Sequence, residues 1–401
     1  MAACVALFAI SGCATTSSPQ ASASQPVPPS PTSSSPSPSP QPPGLLGPWT
    51  RLARVKAFAD FVPTGLVAFH GDLVAVGYQP GDVRSGGGSL RAAIWISSDG
   101  RTWSPVTDLP SGRGDQIQAV TAGGPGLVAV GSGAWVSADG HHWRRTLDLR
   151  PGQGVVRSGG YLSVLATFGH QLVAVGQTDG PIVLAASFPH WQPAVLTSPD
   201  GSAWRELDAS RATFLMGDPP TAMVVFGGRL ILANNSGIWS SPDGASWTSE
   251  ATGLNSGLNS VLSQIIVGAP GLVAIGARDL DRSATSCGCH VARPAFLTSP
   301  DGTHWAASRA VAEVDNTGAW NAVAVPGGYV AVGQGPTGPG VWTSPDGAVW
   351  TPSLDPALNG VGGPSMRHVV QFGAELVAIA DYPLSGASQR VDVWIAPLGG
   401  T

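Results

Sequence analysis

The sequence predicts an all-β fold, a seven-bladed β-propeller built from four-stranded antiparallel blades. Two repeated elements and one compositional trait lead there. A run of the type Leu-Val-Ala-Val-Gly occurs seven times, a Ser-x-Asp-Gly-x-x-Trp pattern follows six of those copies, and 54 glycines and 36 prolines punctuate the 401 residues. A unit that returns at a regular interval marks a repeat architecture. Short strands joined by Gly/Pro turns mark an all-β one.

The first run stands at 73–77, 127–131 and 172–176, then recurs with small changes at 230–234, 272–276, 329–333 and 376–380. Nearly unbroken apolar character with many β-branched residues fits a strand buried on both faces. Ahead of each copy lies another short strand ending in a Gly-rich turn, as at 118–122 before 123–126.

The second pattern pairs Asp99 with Trp103, Asp139 with Trp143, Asp200 with Trp204, Asp243 with Trp247, Asp301 with Trp305 and Asp346 with Trp350. Its chemistry is that of a hairpin. Ser favours the turn, Asp accepts from nearby amides, and Gly supplies the positive φ that returns the chain. The Trp then opens an outer strand, where a large ring can fill the widening gap between sheets. Each repeat thus yields an inner A strand, the B strand of the first run, a C strand, and a D strand beginning at the Trp.

The seventh copy lacks its last strand, since the chain passes from a C strand at 391–395 to Thr401 with no box. Residues 48–52, Pro-Trp-Thr-Arg-Leu, look like an orphan D strand at the other end of the propeller region. They are expected to complete blade seven and close the ring, removing two sheet edges.

In such a ring the A–B and C–D turns share one face, and the D–A and B–C connections share the other. The B–C connections are short in blades two (132–133), four (235–237) and six (334–340). They are long in blades one (78–91), three (177–193), five (277–294) and seven (381–390). Long loops gathered on one rim of a rigid scaffold are where binding concentrates. Alignment of the repeats places Thr64, Gln118, Ser163, Thr221, Ser263, Trp320 with Asn321, and Arg367 with His368 at the mouth on that face. One cation, one imidazole and one indole among hydroxyls and amides suit a sugar or small polar ligand.

The Ser-x-Asp-Gly-x-x-Trp pattern resembles the Asp-box of sialidase-like (BNR-repeat) propellers, across residues 95–350. It departs in lacking the residue those boxes carry between Asp and Gly. The resemblance implies that the six aspartates and tryptophans are scaffold, and that ligands sit on the long-loop face. It does not extend to sialidase chemistry. The first-blade Arg-Ile/Leu-Pro signature and an arginine triad are not found, and none of the four tyrosines stands beside a matching Glu.

The N-terminal segment reads as an address. Residues 2–10 are apolar but fall short of the about 20 needed to span a bilayer. Ile-Ser-Gly-Cys at 10–13 is similar to a bacterial lipobox, which implies lipidation of Cys13, although no basic residue precedes Arg51. Residues 14–44 are mostly Ser, Pro, Thr, Ala and Gln, the composition of a disordered tether with a reach of at most roughly 95 Å. The expected organisation is a signal peptide over 1–13, a tether over 14–44 and a propeller over 45–401.

A net charge of −5, with a single lysine (Lys56), argues against nucleic acid, which needs a concentrated basic surface. Cys287 and Cys289 flank one glycine ahead of His290 in the long blade-five loop. A small disulfide is the default there in an oxidising compartment, with a soft-metal site or redox thiols as alternatives. No metal motif or cofactor motif stands out. The expected protein is a monomeric, lipid-anchored, extracytoplasmic binding or assembly module for a glycan, peptide or envelope protein. The alternative is a glycosidase using two of the loop carboxylates Asp115, Asp179, Asp218, Asp279, Asp281 and Asp381.

Overall fold

The computed structural model describes residues 44–52, 58, 60–80, 90–124, 126–149, 160–179, 191–208, 212, 219–235, 237–250, 259–268, 271–279, 292–310, 315–360, 363–382 and 390–399. Cys13, the tether before residue 44, the Cys287–Cys289 pair, Asp218 and Asp281 lie outside them, as do the tips of the four long B–C loops.

Seven antiparallel sheets stand in sequence, one for each repeat. Blade two shows the pattern, with A at Ile117–Gly123, B at Gly126–Gly131, C at Gly133–Ser137 and D at Arg144–Asp148. The A strands touch in a closed circuit, the seventh meeting the first. Blade six carries one strand more than expected, because Arg309–Ala310 pairs in parallel with the outer strand Val349–Pro352. The chain leaving blade five thereby covers the edge of the next blade.

The B strands are buried as their sequences predict, with Leu73, Val74, Ala75 and Val76 all at 0% exposure. Complete burial of a Val or Leu side chain contributes about 1.5–3 kcal/mol. The core is distributed accordingly. Each of seven apolar clusters among the described residues joins neighbouring blades, so every blade depends on two others.

The box turns have the predicted chemistry. In the first, Asp99 Oδ1 accepts from the amides of Arg101 (2.8 Å) and Thr102 (2.7 Å), and Gly100 has φ +69°. The indole of Trp103 donates to the Gly100 carbonyl at 3.2 Å, and the same bond recurs at Trp143, Trp204, Trp247, Trp305 and Trp350. The amide of Thr102, then that of Arg101, hold the Asp99 carboxyl down at about 2. The aspartates serve as turn acceptors.

The ring closes as expected. Thr50–Leu52 pairs antiparallel with the C strand Val391–Pro397, with Arg51 opposite Trp394. Around it, Leu46 bridges Leu398, Gly47 N donates to Pro397 O at 2.9 Å and Gly399 N to Leu45 O at 2.9 Å. Trp49 is 3% exposed, among Val341, Leu358 and Trp394. Its amide donates to Asp355 at 2.6 Å. Leu46 stands three residues before this Trp where the boxes have glycine, and the Trp49 indole N–H has no acceptor among the described residues.

Candidate functional site

Every A strand with a recorded irregularity breaks register at the same place. The extra residue is Thr64, Gln118, Ser163, Ser263, Trp320 or Arg367. Thr221 immediately precedes the blade-four A strand Ala222–Phe226 at the matching level, its amide donating to Ala233 O at 2.9 Å. Six of the mouth positions aligned from the repeats are thus bulge residues, and Thr221 stands at their level in blade four. A bulge bends its strand and re-aims one side chain.

The glycine ending most B runs answers to that bend. A Cβ on Gly77 would lie 2.0 Å from Val62 O, one on Gly131 2.0 Å from Gln116 O, and one on Gly276 2.0 Å from Val261 O. In these blades the bulged strand swings its carbonyl into the space that a Cβ would fill.

Many mouth side chains join one blade to the next. Thr64 Oγ1 donates to Ile117 O at 2.8 Å, and Thr221 Oγ1 to Leu262 O. Gln264 accepts from the amide of Ala322, and Asn321 Oδ1 from that of Val369 at 2.9 Å. Trp320 Nε1 donates to Ser365 Oγ at 2.7 Å, and His368 Nε2 lies 3.4 Å from Pro63 O. Burial, then that carbonyl acting in opposition, set the His368 imidazole at about 4, so it is neutral near pH 7 and donates from Nε2. Gln118 and Ser163 make no such link among the described residues, and the Ser163 hydroxyl is buried without a partner.

One sector gathers the strongest chemistry. The guanidinium of Arg367 lies over the Trp320 ring, 5.4 Å from its centroid, and its Nε donates to Asp381 Oδ1 at 2.8 Å. The Arg367 side chain stays 41% exposed, against 13% for Asp381. Burial pushes the Asp381 carboxyl up against the pull of Arg367. Tyr78 of blade one is raised by burial and then by the charge of Asp381, and His368 beside Arg367 reaches Pro63 O of blade one, so the cluster lies at the seam between blades seven and one. That seam is where the alternation of long and short B–C loops fails, since an odd number of blades sets two long loops side by side. The Trp320 indole, placed at the mouth from sequence as part of a ligand-binding set, already carries Arg367 on its ring.

Of the loop carboxylates named from sequence, Asp115 is the other whose side chain is described, and it is engaged as well. Asp115 is fully buried, bonded to Arg145 Nη1 at 2.7 Å and to Ser132 Oγ at 3.3 Å. Asp179 and Asp279 are described only as backbone partners of Trp191 and Ala292. No group of three or more metal-ligating side chains occurs among the described residues.

Sequence reasoning missed a second buried carboxylate. Asp392 is fully buried in the blade-seven C strand, bonded to Arg51 Nε at 2.9 Å, Tyr382 Oη at 2.8 Å and Arg390 at 3.5 Å. Arg51 also donates to the Tyr382 hydroxyl. Arg390 stacks on the Tyr382 ring, 4.3 Å from its centroid. Burial, then donation to Asp392, pushes the Tyr382 hydroxyl up to about 12. A signal for it exists in the repeats. The D-strand residue opposite the C-strand Trp is arginine in blade two (Arg145, Trp135) and blade seven (Arg51, Trp394), whereas the described counterparts in blades one, four and six are Pro105, Ser249 and Pro352.

No family model matches the chain, and no curated protein matches it in sequence. Among solved structures it is similar to a protein of unknown function from Dyadobacter fermentans, at 13% identity and a TM-score of 0.49, over 88% of this chain and 98% of that one. A Trypanosoma rangeli sialidase in complex with sialic acid aligns at 12% identity and TM-score 0.45, over 87% of this chain and 59% of that one. The phage phi92 endosialidase aligns at 12% and 0.47, over 88% and 69%.

Proposed function

We propose that this chain is a non-catalytic binding or assembly module that presents its long-loop face to a glycan, peptide or envelope protein. The supporting observation is the state of the mouth. Its carboxylates Asp115 and Asp381 are held by arginines, and its indole, imidazole and two of its hydroxyls are spent on joining blades. Among the described residues the mouth presents the Arg367 guanidinium, oriented by Trp320 and Asp381 and suited to recognition. The same reading makes the chain a BNR-type propeller in the sialidase-like group, held outside the cytoplasm on a bacterial membrane by a lipid at Cys13. A glycan array and a pull-down with residues 45–401 test it, saturable capture being the expected result. Turnover of a glycoside by that protein would overturn it. Labelling with a fatty-acid analogue, lost in Cys13→Ser, tests the anchor.

One observation favours a second reading. Asp381 is a mouth carboxyl bonded to Arg367 and raised by burial, the environment of a general acid. A glycosidase working this way would lose turnover in Asp381→Asn while keeping its fold.

A further inference from the structure

The mouth cluster and the ring closure share two consecutive residues. Asp381 is the last residue of the blade-seven B strand Glu375–Asp381 and holds Arg367. Tyr382 follows it and bonds Asp392, the carboxylate that Arg51 grips. A strand end is where a sheet frays first. Here the backbone bonds near that end are Asp381 paired with Ser365 and Val391, and Tyr382 N to Arg390 O at 3.2 Å. The side chains of Tyr382 and Arg390 both converge on Asp392. Asp392 is fully buried, so its charge must be matched by cations in place. Arg51 is the better seated of its two arginines, bonded through Nε and 22% exposed, while Arg390 is 39% exposed and 3.5 Å away.

We infer that Arg51, brought in by the N-terminal strand, is a positioning residue for the mouth. Through Asp392 and Tyr382 it fixes the strand end that presents Asp381 to Arg367. The closing strand therefore sets the rim geometry of the face it appears only to complete. This rests on reading that mouth as the binding site. It implies that displacing the N-terminal strand loosens the rim before the rest of the ring is disturbed.

Hydrogen exchange on the full chain tests the inference without any ligand. Arg51→Met keeps the apolar stem over Trp394 but removes the cation. Tyr382→Phe keeps the Arg51–Asp392 pair but cuts its link to the strand end. Both are expected to raise exchange roughly tenfold at 365–372 and 375–382. Arg145→Met, which breaks the matching pair in blade two, is expected to leave those segments unchanged. The 15N signal of the Arg367 Nε–H, assigned with Arg367→Lys, is expected to broaden in the first two variants and to stay sharp in the third. Arg51→Lys is expected to restore part of the protection. Exchange rising only at 45–52 and 391–397, with the Arg367 signal unmoved, would overturn the inference. Tyr382→Phe decides it alone if Arg51→Met does not fold. The array described above scores the binding reading separately, so failure of one is distinguishable from failure of the other.

Discussion

Blade two and blade seven use the same device in opposite circumstances. Each buries a carboxylate completely, Asp115 or Asp392, and matches it with an arginine on the outer strand that lies over the C-strand tryptophan. In blade two the partners are 30 residues apart, within one stretch of chain. In blade seven they are 341 residues apart, and the arginine arrives from the other end of the propeller. The interaction is local in one case and holds the ring shut in the other. The same chemistry therefore has different consequences for cooperativity, because loss of the second pair frees an edge while loss of the first does not.

The largest effect is expected from removing the closing strand. Deletion of residues 45–52 exposes the site of Trp49, worth about 3 kcal/mol, and leaves Asp392 without Arg51, worth about 3–5 kcal/mol. A loss of about 5 kcal/mol or more should appear in denaturant melts. An unchanged midpoint would mean that the strand only decorates blade seven.

Next come the matched single changes. Arg145→Met and Arg51→Met each take the nearest arginine from a buried carboxylate; the first should cost about 3–5 kcal/mol and the second, which leaves Asp392 with Arg390 at 3.5 Å, up to about as much. They should part in limited proteolysis, with Arg51→Met opening cleavage at the N-terminal strand and Arg145→Met leaving that site protected. Equal proteolysis would erase the distinction between the two blades.

A smaller effect is expected at the glycine behind the bulge. Gly131→Ala would set a Cβ 2.0 Å from Gln116 O and should cost about 1–3 kcal/mol. Ala380 fills the matching place in blade seven, opposite Met366, so Ala380→Gly should not recover stability there. A gain on that change would show the seventh bulge to be strained.

The smallest concerns pH. The box aspartates have folded-state pKa values below their unfolded ones, Asp99 at about 2 through the amides of Thr102 and Arg101, and Asp139 lower still through His142. Their stabilisation is present above about pH 4 and is lost as pH falls through the folded values. Blade seven has no box aspartate to protonate. Asp139→Ala should therefore flatten the acid limb of the stability curve, with no comparable change available in blade seven.

How much of this could be read from the chain follows from where the bonds lie. The six boxes were legible because every bond that makes them spans two or three residues, Asp to the next amides and Trp to its glycine. The B strands were legible because burial on both faces demands an apolar run, and the orphan strand at 48–52 because its Trp and length match the missing piece. Blade count and closure were thus legible in the sequence.

What the mouth does with its side chains was not. Trp320 and Asn321 read as candidate ligand contacts, yet the first carries Arg367 and the second accepts from Val369 of the next blade. Those partners are set by the curvature of the ring and by the bulge, and neither leaves a local pattern. The opposite end of the scale is Arg51 and Asp392. One lies in a strand named from sequence and the other in a run of apolar residues, and only closure of the ring makes them a pair. Short-range hydrogen bonding writes itself into a repeat, whereas a buried charge pair spanning the whole fold exists only once the fold has formed.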